Sequence, residues 1–305
     1  MSSKIVVVGS LNMDLVVRAQ RHPLPGETLL GGGFKTFPGG KGANQAVAAA
    51  RLSQNGLVCM VGRVGEDAFG NALLENAKQD GVDTYCIRKT PGVSTGVALI
   101  TLDANGQNTI VVAPGANAQL TPEDIQASED IFDDASILLV QLEVPLPAVM
   151  CALKMARQKG LRTILNPAPA MLLPQSLFAD VDILIPNQHE LALLSKENSV
   201  SAGIEQMLAM GVNNLVVTMG AEGVIVVDKE QLVKIEGLPV TVVDTVAAGD
   251  AFVGAFAVGL SEGKSILESA IWGNAAGALA VTRAGAQPSL PRRDELEIFL
   301  THPNK

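Results

Sequence analysis

The chain has few of the residue types that stabilise small or metal-dependent proteins. Its 305 residues contain three cysteines, scattered and without a CxxC pair, and three histidines that lie far apart. This argues against a disulfide framework, a structural zinc site and a zinc-binding histidine triad. Aromatic residues make up only 3% of the chain, whereas apolar residues make up 48%. We therefore expect a substantial core built almost entirely from aliphatic side chains.

The chain also lacks an excess of positive charge and any long apolar run. The net charge is −9 and the pI is about 4.9, which argues against a nucleic-acid-binding protein, because such proteins usually carry a basic surface. An acidic protein can still hold a local anion site, so a nucleotide substrate stays open. No run reaches ~18 apolar residues, so we expect no membrane span. The chain enters a strand at Ile5 without a signal-peptide pattern, and a cytoplasmic protein is the default expectation.

The alternation of apolar patterns predicts an α/β fold. A length of 305 residues is typical of about two domains, or of one large α/β unit with an appendage. Apolar side chains recur at helical spacing, for example at Val149, Leu153 and Ala156. Short apolar runs, each typical of a buried strand, occupy residues 5–8, 58–61, 137–142, 163–165, 183–185 and 215–218. Strands that alternate with helices indicate βαβ units and a mostly parallel sheet.

Two β-rich segments interrupt this rhythm. Residues 14–38 contain two strand-like runs around a Pro/Gly turn, and residues 94–115 are typical of a hairpin with its turn at 103–106. These insertions predict a small second sheet that acts as a lid over a site at the carboxyl ends of the parallel strands. Two decorative hairpins are the alternative. We accordingly divide the chain into an α/β part (1–13, 39–93 and 116–305) and a lid subdomain (14–38 and 94–115).

The strongest chemical pattern is DTVAAGDAF at residues 244–252. Residues 240–243 before it predict a buried strand, and Phe252, Ala255 and Phe256 begin the inner face of a helix. A strand that turns through small residues into a helix leaves free backbone N–H groups, which form an anion site. Asp250 lies in the middle of this turn. A carboxylate in that position suits a base that takes a proton while negative charge arrives from a phosphate.

A glycine-rich loop, GGKGANQA at residues 39–46, opens another predicted helix. Lys41 and Asn44 are three residues apart and would share a helix face, although a solvated loop lysine is the alternative. The loop is not a Walker A motif, because lysine occupies the position of the first glycine and Gly42 follows Lys41 in place of serine or threonine. The loop could therefore bind an oxygen-rich ligand of another kind.

The end of the first predicted strand lacks the GxGxxG fingerprint, since only Gly9 is present. A nicotinamide or flavin site of the Rossmann type is therefore disfavoured. Asn12 and Asp14 follow at the strand end, where they could bind hydroxyl groups or simply form a turn.

Three further segments follow predicted strands or helices. Asn187 and Glu190 offer two oxygen ligands that suit magnesium, and they could also form a helix capping box. The glycine-rich residues 218–223 could approach nucleotide phosphates, although alone they are more typical of a plain hairpin turn. The tight turn at 283–289, together with Asp244, could hold a monovalent cation through its carbonyl groups.

In combination, these motifs resemble the ribokinase/PfkB family of sugar kinases. GGKGANQA and DTVAAGDAF are similar to the two signatures of the family, and NQHE at 187–190 is similar to its NxxE magnesium motif. The resemblance runs along essentially the whole chain in the same order. GSLNMD, STGVALI, LLVQLE, LNPAPA and VTRAGAQPS are most similar to the ribokinase branch of the family.

The resemblance implies a ribokinase-like three-layer α/β sandwich with a mostly parallel central sheet and a β-sheet lid that often forms a homodimer contact. It implies transfer of the γ-phosphoryl group of ATP to the 5-hydroxyl of D-ribose, with Mg²⁺ accompanying ATP and K⁺ as an activating ion. Asp250 would be the catalytic base. The anion hole would be formed by the N–H groups of Ala247, Ala248 and Gly249.

The resemblance also implies further ligand contacts. The sugar hydroxyls would be held by Asn12, Asp14, Gly40, Lys41, Asn44 and Glu143. ATP would be contacted by Asn187, Thr218, Gly220, Gly223 and Gly249, with Asn274 in the adenine pocket. Magnesium would be bound by Glu190 through water. The potassium site would be formed by Asp244, Val246, Ala280, Arg283, Gly285 and Ser289.

Two positions depart from the family pattern, and three other functions stay open. The family often has glycine where Ala247 stands, but the backbone N–H is what matters there; the adenine-pocket position of Asn274 varies among relatives. The nearest alternative is a kinase of another sugar such as 2-deoxyribose, for which the contact of Asn12 and Asp14 with the 2-hydroxyl would discriminate. A non-catalytic sugar- or nucleotide-sensing protein is another, and an oxidoreductase is a distant third.

Overall fold

The structure is a computed structural model that describes residues 4–54, 56–228 and 231–302. Within these ranges the chain forms fourteen strands and nine α-helices. The strands are β1 Lys4–Val8, β2 Asn12–Arg18, β3 Gly32–Gly39, β4 Val58–Gly65, β5 Val82–Asp83, β6 Ile87–Thr90, β7 Gly96–Leu102, β8 Asn108–Ala113, β9 Ala135–Val140, β10 Arg162–Leu165, β11 Ile183–Leu184, β12 Asn214–Thr218, β13 Val224–Val227 and β14 Leu232–Ile235. The helices are α1 Lys41–Leu52, α2 Ala68–Gln79, α3 Pro122–Gln126, α4 Leu146–Lys159, α5 Gln188–Ser195, α6 Val200–Ala209, α7 Ala248–Ser261, α8 Ile266–Ala280 and α9 Arg293–Thr301.

The large central sheet is mostly parallel. Its strands lie in the order β14-β13-β12-β11-β10-β9-β1-β4-β5, with β6 also paired to β4. All neighbours from β12 to β5 are parallel, and the β12–β13–β14 edge is antiparallel. Each of the six apolar runs predicted as strands lies in this sheet, with boundaries that differ by one or two residues except for β4, which continues four residues beyond the predicted run 58–61. The predicted α/β class is confirmed.

Two hydrophobic cores lie on opposite faces of the central sheet. In β1, Ile5 and Val7 belong to one core, which includes residues of α1, α2, α7, α8 and α9. Val6 and Val8 belong to the other, which includes residues of α3, α4, α5 and α6. Because successive side chains of a strand point to opposite faces, a strand covered on both sides is apolar without interruption. This gives three layers, and both cores are dominated by aliphatic residues, as the composition predicted.

The two β-rich segments form a second sheet, with strands in the order β3-β2-β7-β8. We call these four strands the lid sheet. β2 is antiparallel to β3 and parallel to β7, and β7 and β8 form the expected hairpin around residues 103–107. The prediction of a small separate sheet is therefore confirmed. Asn12 and Asp14 lie within β2, so they belong to a strand and not to a turn.

The strand predicted for residues 240–243 is wrong. The segment forms no ladder, and Val242 and Val243 are 59% and 61% exposed. The backbone N–H groups of Val243 and Asp244 both donate to the carbonyl of Val281, at 2.8 and 3.2 Å, so the segment is bound to the end of α8 and not to a sheet edge. β-branched residues favour a strand only where neighbouring strands and burial supply the packing, and neither is present here.

The helix that follows this segment is α7, and it is buried all round. The face predicted from Phe252, Ala255 and Phe256 is buried, but so is every other residue of α7 from 250 to 260. α7 packs between α1 and α8 on one face of the sheet. A helix that is apolar on all sides lies within the core and not at its surface. In the described part of the chain, no helix has both the length and the apolarity that crossing a bilayer requires.

Candidate active site

Polar side chains follow three neighbouring strands of the central sheet. Ser10 lies beyond β1, Gln141 and Glu143 beyond β9, and Asn166 directly after β10. Because β10, β9 and β1 are adjacent and parallel, their carboxyl ends meet at one edge of the sheet. The helix starts of α1 and α7 reach the same edge, as the contacts below show. An open α/β sheet typically binds its ligands in this position.

Glu143 joins the end of β9 to the start of α1. Its Oε2 accepts hydrogen bonds from the Ser10 hydroxyl at 2.5 Å and from the backbone N–H of Lys41 at 3.0 Å. The side-chain amide of Asn12 lies 3.5 Å from the same oxygen. Lys41 is the first residue of α1, so Glu143 is an internal anion for an amide that a helix start leaves unpaired. The structure thus brings together three of the residues predicted to hold the sugar.

Asp14 and Gly40 lie beside this group. Gly39 pairs with Asn12 in the lid sheet, and a Cβ added at Gly39 would touch the Asp14 carboxylate. Gly40 is the residue before α1 and has a φ of 88°, a conformation that residues with a Cβ avoid. A Cβ at Gly40 would also lie 2.6 Å from the backbone nitrogen of Asn12. Glycine is therefore needed here for two independent reasons.

Asp250 lies at the start of α7 with both carboxylate oxygens hydrogen-bonded. Oδ2 accepts from Nδ2 of Asn44 at 2.9 Å, and Oδ1 accepts from Nε2 of Gln45 at 3.0 Å. Both donors belong to α1, which packs against α7. Asp250 is only 6% exposed. The carboxylate is therefore held in one orientation, as a general base requires.

Four carboxylates and one ammonium group share the site. Burial raises the pKa of Asp14 to about 7, and the charges of Glu143 and Asp250 add to this shift. Burial also raises the pKa of Asp250 and of Glu190. For Lys41, burial lowers the pKa, but the neighbouring carboxylates of Asp250, Glu143 and Glu190 outweigh it and the net shift is upward. Lys41 therefore stays charged and is the positive counter-charge of the site.

The start of α7 presents unpaired backbone amides. Ala247, the residue before the helix, has a left-handed conformation with a φ of 60°, and no side chain caps the helix. The N–H of Ala248 makes one long hydrogen bond of 3.4 Å to the carbonyl of Thr245. Within the described residues, no acceptor pairs with the N–H of Ala247 or Gly249. Three amides at a helix start are a cradle for an anion.

Asn187 and Glu190 form the capping box that was one of the two expectations for them. Oδ1 of Asn187 accepts from the N–H of Glu190, and Oε2 of Glu190 accepts from the N–H of Asn187, both at 2.8 Å. Glu190 is 7% exposed and interacts electrostatically with Lys41 and Asp250. Across the described ranges, no cluster of three or more metal-ligating side chains occurs. A metal here would take one carboxylate from the chain and its other ligands from water and phosphates, which is a donor set that Mg²⁺ accepts.

Thr218 lies beside Asn187 at the end of β12. The two residues form an isolated parallel bridge, and the N–H of Thr218 donates to the carbonyl of Pro186 at 3.0 Å. The chain then turns through Gly220 and Gly223 into the antiparallel strand β13. This is the hairpin geometry that the segment alone suggested, and it lies next to the start of α5.

Asn274 reaches the same region from α8. Its Nδ2 donates to the carbonyl of Glu236 at 2.9 Å. The next residue, Gly237, packs so closely on the 218–223 turn that a Cβ there would touch the carbonyl of Ala221. Of the residues predicted to contact ATP, Asn187, the 218–223 turn and Asn274 are therefore connected through neighbouring contacts.

Asp244 connects the segment before α7 with the turn after α8. Its Oδ1 accepts from the N–H of Val246 at 3.0 Å, and its Oδ2 accepts from the N–H of Gly285 at 2.9 Å. Three of the residues predicted for the potassium site are thus in contact, and their carbonyl and carboxylate oxygens suit a hard cation.

The other predicted potassium ligands direct their side chains elsewhere. The Arg283 guanidinium pairs with Glu295 of α9 at 2.5 Å, and the Ser289 hydroxyl donates to the carbonyl of Ala286 at 2.8 Å. The carbonyl of Ala280 accepts from the N–H of Arg283 at 3.2 Å. Any contribution of Arg283 to a cation site would therefore come from its backbone carbonyl.

The sequence reasoning missed four polar residues of the site: Ser10, Gln45, Gln141 and Asn166. Each makes a side-chain hydrogen bond to a predicted site residue or to another of the four. A signal was available, because Ser10 and Asn166 follow predicted parallel strands and Gln141 lies near the end of a third, where ligand-binding residues collect. Gln45 was inside the glycine-rich motif but was given no role.

Comparison with known proteins gives full-length matches. Residues 2–293 match the model of the pfkB family of carbohydrate kinases. The chain is 40% identical over 303 residues to the ribokinase of Staphylococcus aureus, covering 97% of this chain and 99% of that one. The crystal structure of a Thermotoga maritima ribokinase has a TM-score of 0.90 and 40% identity over 97% of this chain and 99% of that chain. The structure of an Arabidopsis thaliana ribokinase complexed with ribose and ATP has a TM-score of 0.91 and 34% identity, over 98% and 99% of the two chains.

A relative with another sugar in its name is also similar. The deoxyribokinase of Salmonella typhi is 36% identical over 306 residues, covering 97% of this chain and 98% of that one. The structural likeness confirms the three-layer ribokinase-like fold with its mostly parallel sheet and small second sheet. Because the family model spans nearly the whole chain and the fold agrees with it, the protein belongs to the pfkB family of carbohydrate kinases.

Proposed function

We propose that the protein transfers the γ-phosphoryl group of ATP to the 5-hydroxyl of D-ribose, giving ribose 5-phosphate and ADP. One observation carries this proposal: Asp250 is fixed by two side-chain amides directly beside the unpaired amides at the start of α7. A proton acceptor and an anion cradle at one helix start are what transfer of a phosphoryl group to a hydroxyl needs. The full-length similarity to ribokinases, one of them complexed with ribose and ATP, supports ribose as the acceptor.

In the proposed reaction, Asp250 accepts the proton of the ribose hydroxyl while the hydroxyl oxygen forms its bond to the γ-phosphorus. The bond from the γ-phosphorus to the bridging oxygen breaks, and the electron pair leaves with ADP. The amides of Ala247, Ala248 and Gly249 stabilise the charge on the transferred group. Burial raises the pKa of Asp250, which makes it a stronger proton acceptor than an exposed carboxylate.

The sugar-binding side of the proposal rests on the residues around Glu143. Asn12, Asp14, Lys41 and Glu143 offer both donors and acceptors, as a polyhydroxylated ligand requires. A site built to bond a hydroxyl strongly rejects an analogue that lacks it. We therefore expect the contact of Asn12 and Asp14 with the 2-hydroxyl to favour ribose over 2-deoxyribose.

The test is ADP release from ATP with a panel of sugars. Ribose should give the highest kcat/KM. A higher value with 2-deoxyribose would favour the activity named for the Salmonella relative. No ADP release with any pentose, in the presence of magnesium and potassium, would favour a non-catalytic binding protein.

Magnesium is proposed to bind near Glu190 together with the phosphates of ATP. The buried carboxylate of Glu190 fits this role because its Oε2 is used by the capping box while Oε1 accepts no hydrogen bond from a described residue. Bound magnesium would neutralise phosphate charge. Glu190→Gln should raise the magnesium concentration needed for half-maximal activity.

Potassium is proposed to bind between residues 244–246 and the turn at 280–289. Asp244 supports this because it holds both segments together through the amides of Val246 and Gly285. The cation would order the segment that leads into the α7 anion cradle. Activity should rise when potassium replaces a bulky organic cation, and Asp244→Asn should weaken that response.

A homodimer through the lid sheet is proposed from its exposed apolar side chains. β8 is an edge strand, and Val111 and Leu99 are 66% and 51% exposed. Exposed apolar edges of this kind tend to pair with another chain. Val111→Lys should reduce the mass measured by light scattering by half, whereas Leu193→Lys on α5 should not. A cytoplasmic location is proposed as well, because ATP is the phosphoryl donor.

A further inference from the structure

A chain of buried side-chain amides lies behind Asp250. Nε2 of Gln45 donates to Oδ1 of Asp250 and to Oδ1 of Asn166, each at 3.0 Å. Oε1 of Gln45 accepts from Nε2 of Gln141 at 2.6 Å. Gln45 and Gln141 are 0% exposed, and Asn166 is 9% exposed. Burying three amides side by side is costly unless they are hydrogen-bonded, so the arrangement needs an explanation beyond packing.

The hydrogen bonds leave a single orientation for each amide. Nδ2 of Asn166 donates to the backbone carbonyl of Ile185 at 2.8 Å, so its oxygen must face Gln45. Gln141 donates to the oxygen of Gln45, which leaves the Gln45 nitrogen facing Asp250. Rotating any amide by half a turn would set donor against donor or acceptor against acceptor. The direction of the Gln45 donor is therefore determined from both sides.

Gln141, at the far end of this row of amides, is held in place at a cost in folding free energy. Oε1 of Gln141 is buried and accepts no hydrogen bond from any described residue. It also fills the space that a side chain at Gly9 would occupy. An unpaired buried oxygen destabilises a fold, and its retention indicates that the donating half of the Gln141 amide has a use.

We infer that Gln45 is a positioning residue that holds the Asp250 carboxylate in the orientation and ionisation state that proton acceptance requires, with Gln141 and Asn166 fixing the direction of the Gln45 amide. This inference rests on the proposed function. Gln45 acts through Asp250, because it is fully buried and cannot contact a sugar, whereas Asn44 bonds the other carboxylate oxygen from within the predicted sugar site.

The physical reason is the burial of the base. Burial raises the pKa of Asp250, the Lys41 charge and the hydrogen bonds from Asn44 and Gln45 oppose this shift, and the charge of Glu143 adds to it. The carboxyl groups of Asp14 and Glu190 also interact electrostatically with Asp250. A donor to the charged form of a carboxylate stabilises that form. Without Gln45, Asp250 would stay protonated to higher pH and would accept no proton there.

The experiment compares the pH dependence of kcat for the wild type and for Gln45→Met, which keeps the shape of the side chain without the donor. The acid limb of the kcat profile should move to higher pH by about one unit. At pH values on the acid side of the limb, kcat should fall about tenfold or more, the factor expected for one hydrogen bond to a charged group. KM for ribose should change little. Gln141→Met should move the limb in the same direction by less, because it only frees the Gln45 amide to rotate.

Thr163→Val is the matched control. Thr163 lies in β10, the strand that precedes Asn166, is 1% exposed, and donates to the carbonyl of Asp180 at 2.8 Å. Its replacement removes this hydrogen bond and those of the same hydroxyl with Asp182, which lie away from the Asn166 end of the strand. The variant should lose stability while its pH profile stays that of the wild type. A shifted acid limb in this control would overturn the inference, since any loss of a buried hydrogen bond would then suffice.

A second readout does not depend on the substrate. The carboxyl carbon resonance of Asp250 in sugar-free protein, assigned by its loss in Asp250→Asn, should titrate at a higher pH in Gln45→Met than in the wild type. An unchanged titration in a folded variant would overturn the inference even if ribose is phosphorylated. Failure of the wild type to phosphorylate ribose would overturn the proposed function alone. If Gln45→Met does not fold, the same titration is measured in Gln141→Met. A shift of the Asp250 titration to higher pH would support the inference, and an unchanged titration would overturn it.

Discussion

The starts of α1 and α7 face the same site, and they differ in what pairs with their free amides. Neither helix has a side-chain cap, and both follow a residue with positive φ, Gly40 at 88° and Ala247 at 60°. At α1, the N–H of Lys41 already donates to the carboxylate of Glu143. At α7, the N–H groups of Ala247 and Gly249 have no acceptor among the described residues.

This difference assigns the two helix starts to different ligands. The positive end of α1 is neutralised by a carboxylate of the chain itself, so it needs no external anion. The positive end of α7 is unpaired and beside Asp250, so it is free to bind a phosphoryl group. This difference supports the proposed reaction, in which an uncharged polyol binds on the α1 side and a phosphate binds on the α7 side.

The largest expected effect comes from Asp250→Asn at the α7 start. Turnover should fall roughly 10²–10⁴-fold, because a positioned general base contributes that much, while ribose binding measured by calorimetry stays. Asp67→Asn is the control, since Asp67 also lies at a helix start, as the residue before α2, but outside the site. Turnover of Asp250→Asn near the wild-type rate would show that another group takes the proton.

The next effect in size comes from Gly40→Ala at the α1 start. The left-handed conformation costs a residue with a Cβ about 1–2 kcal/mol. The new Cβ would also lie 2.6 Å from the nitrogen of Asn12, so the free energy of unfolding should fall by more than that. Gly26 also has a positive φ, 79°, but no heavy atom lies within 4 Å of the position its added Cβ would take. Gly26→Ala therefore measures the conformational cost alone. Equal losses in urea unfolding for the two variants would contradict the close approach.

A smaller effect, on the pH dependence of stability, is expected from Asp14, a further carboxylate on the α1 side. The pKa of Asp14 is raised from 3.8 to about 7, so the folded protein binds a proton more tightly than the unfolded chain. Stability from this group is present at pH 4 and is lost as the pH rises toward 7. Asp14→Asn removes that loss. At pH 8 its free energy of unfolding should exceed that of the wild type by at least ~1.4 kcal/mol, the equivalent of one pKa unit. At pH 4 it should not exceed the wild-type value. The same difference in the free energy of unfolding between Asp14→Asn and the wild type at both pH values would contradict this.

The smallest effect is expected for Ala247→Gly at the α7 start. Relief of the left-handed conformation favours glycine by about 1–2 kcal/mol, and the greater chain entropy of unfolded glycine opposes it by roughly 0.5–1 kcal/mol. A net gain of at most about 1.5 kcal/mol should appear in thermal unfolding, with kcat nearly unchanged because the backbone N–H stays. Ala248→Gly, inside the helix, should lose stability instead. A large fall in kcat for Ala247→Gly would mean that the Ala247 side chain itself orders the anion cradle.

Much of the fold could be predicted from local pattern. The six apolar runs became strands of the central sheet, and the two β-rich segments became the lid sheet, because periodicities of two and about 3.6 are short-range properties. Residues 240–243 show the limit of that reasoning. Their β-branched composition is typical of a strand, but no neighbouring strand pairs with them.

The candidate site was predicted less evenly. Residues in recognisable motifs, such as Lys41, Asn44 and Asp250, were singled out and do lie together. Gln141 and Asn166 lie in LLVQLE and LNPAPA, which were noted only for their family resemblance, and neither residue was given a role. Their use becomes visible only when β9 and β10 bring them beside Gln45.

The sequence by itself determined the class of fold, the aliphatic cores and the two helix starts rich in small residues, since these depend on composition and on spacing within about ten residues. Only the tertiary structure decided which amides stay unpaired, which carboxylates raise one another's pKa, and which amides orient Asp250. Those facts depend on contacts between residues about one hundred or two hundred positions apart, such as Lys41 with Glu143 and Gln45 with Asp250. Such contacts are set by strand order and helix packing, which no local pattern encodes.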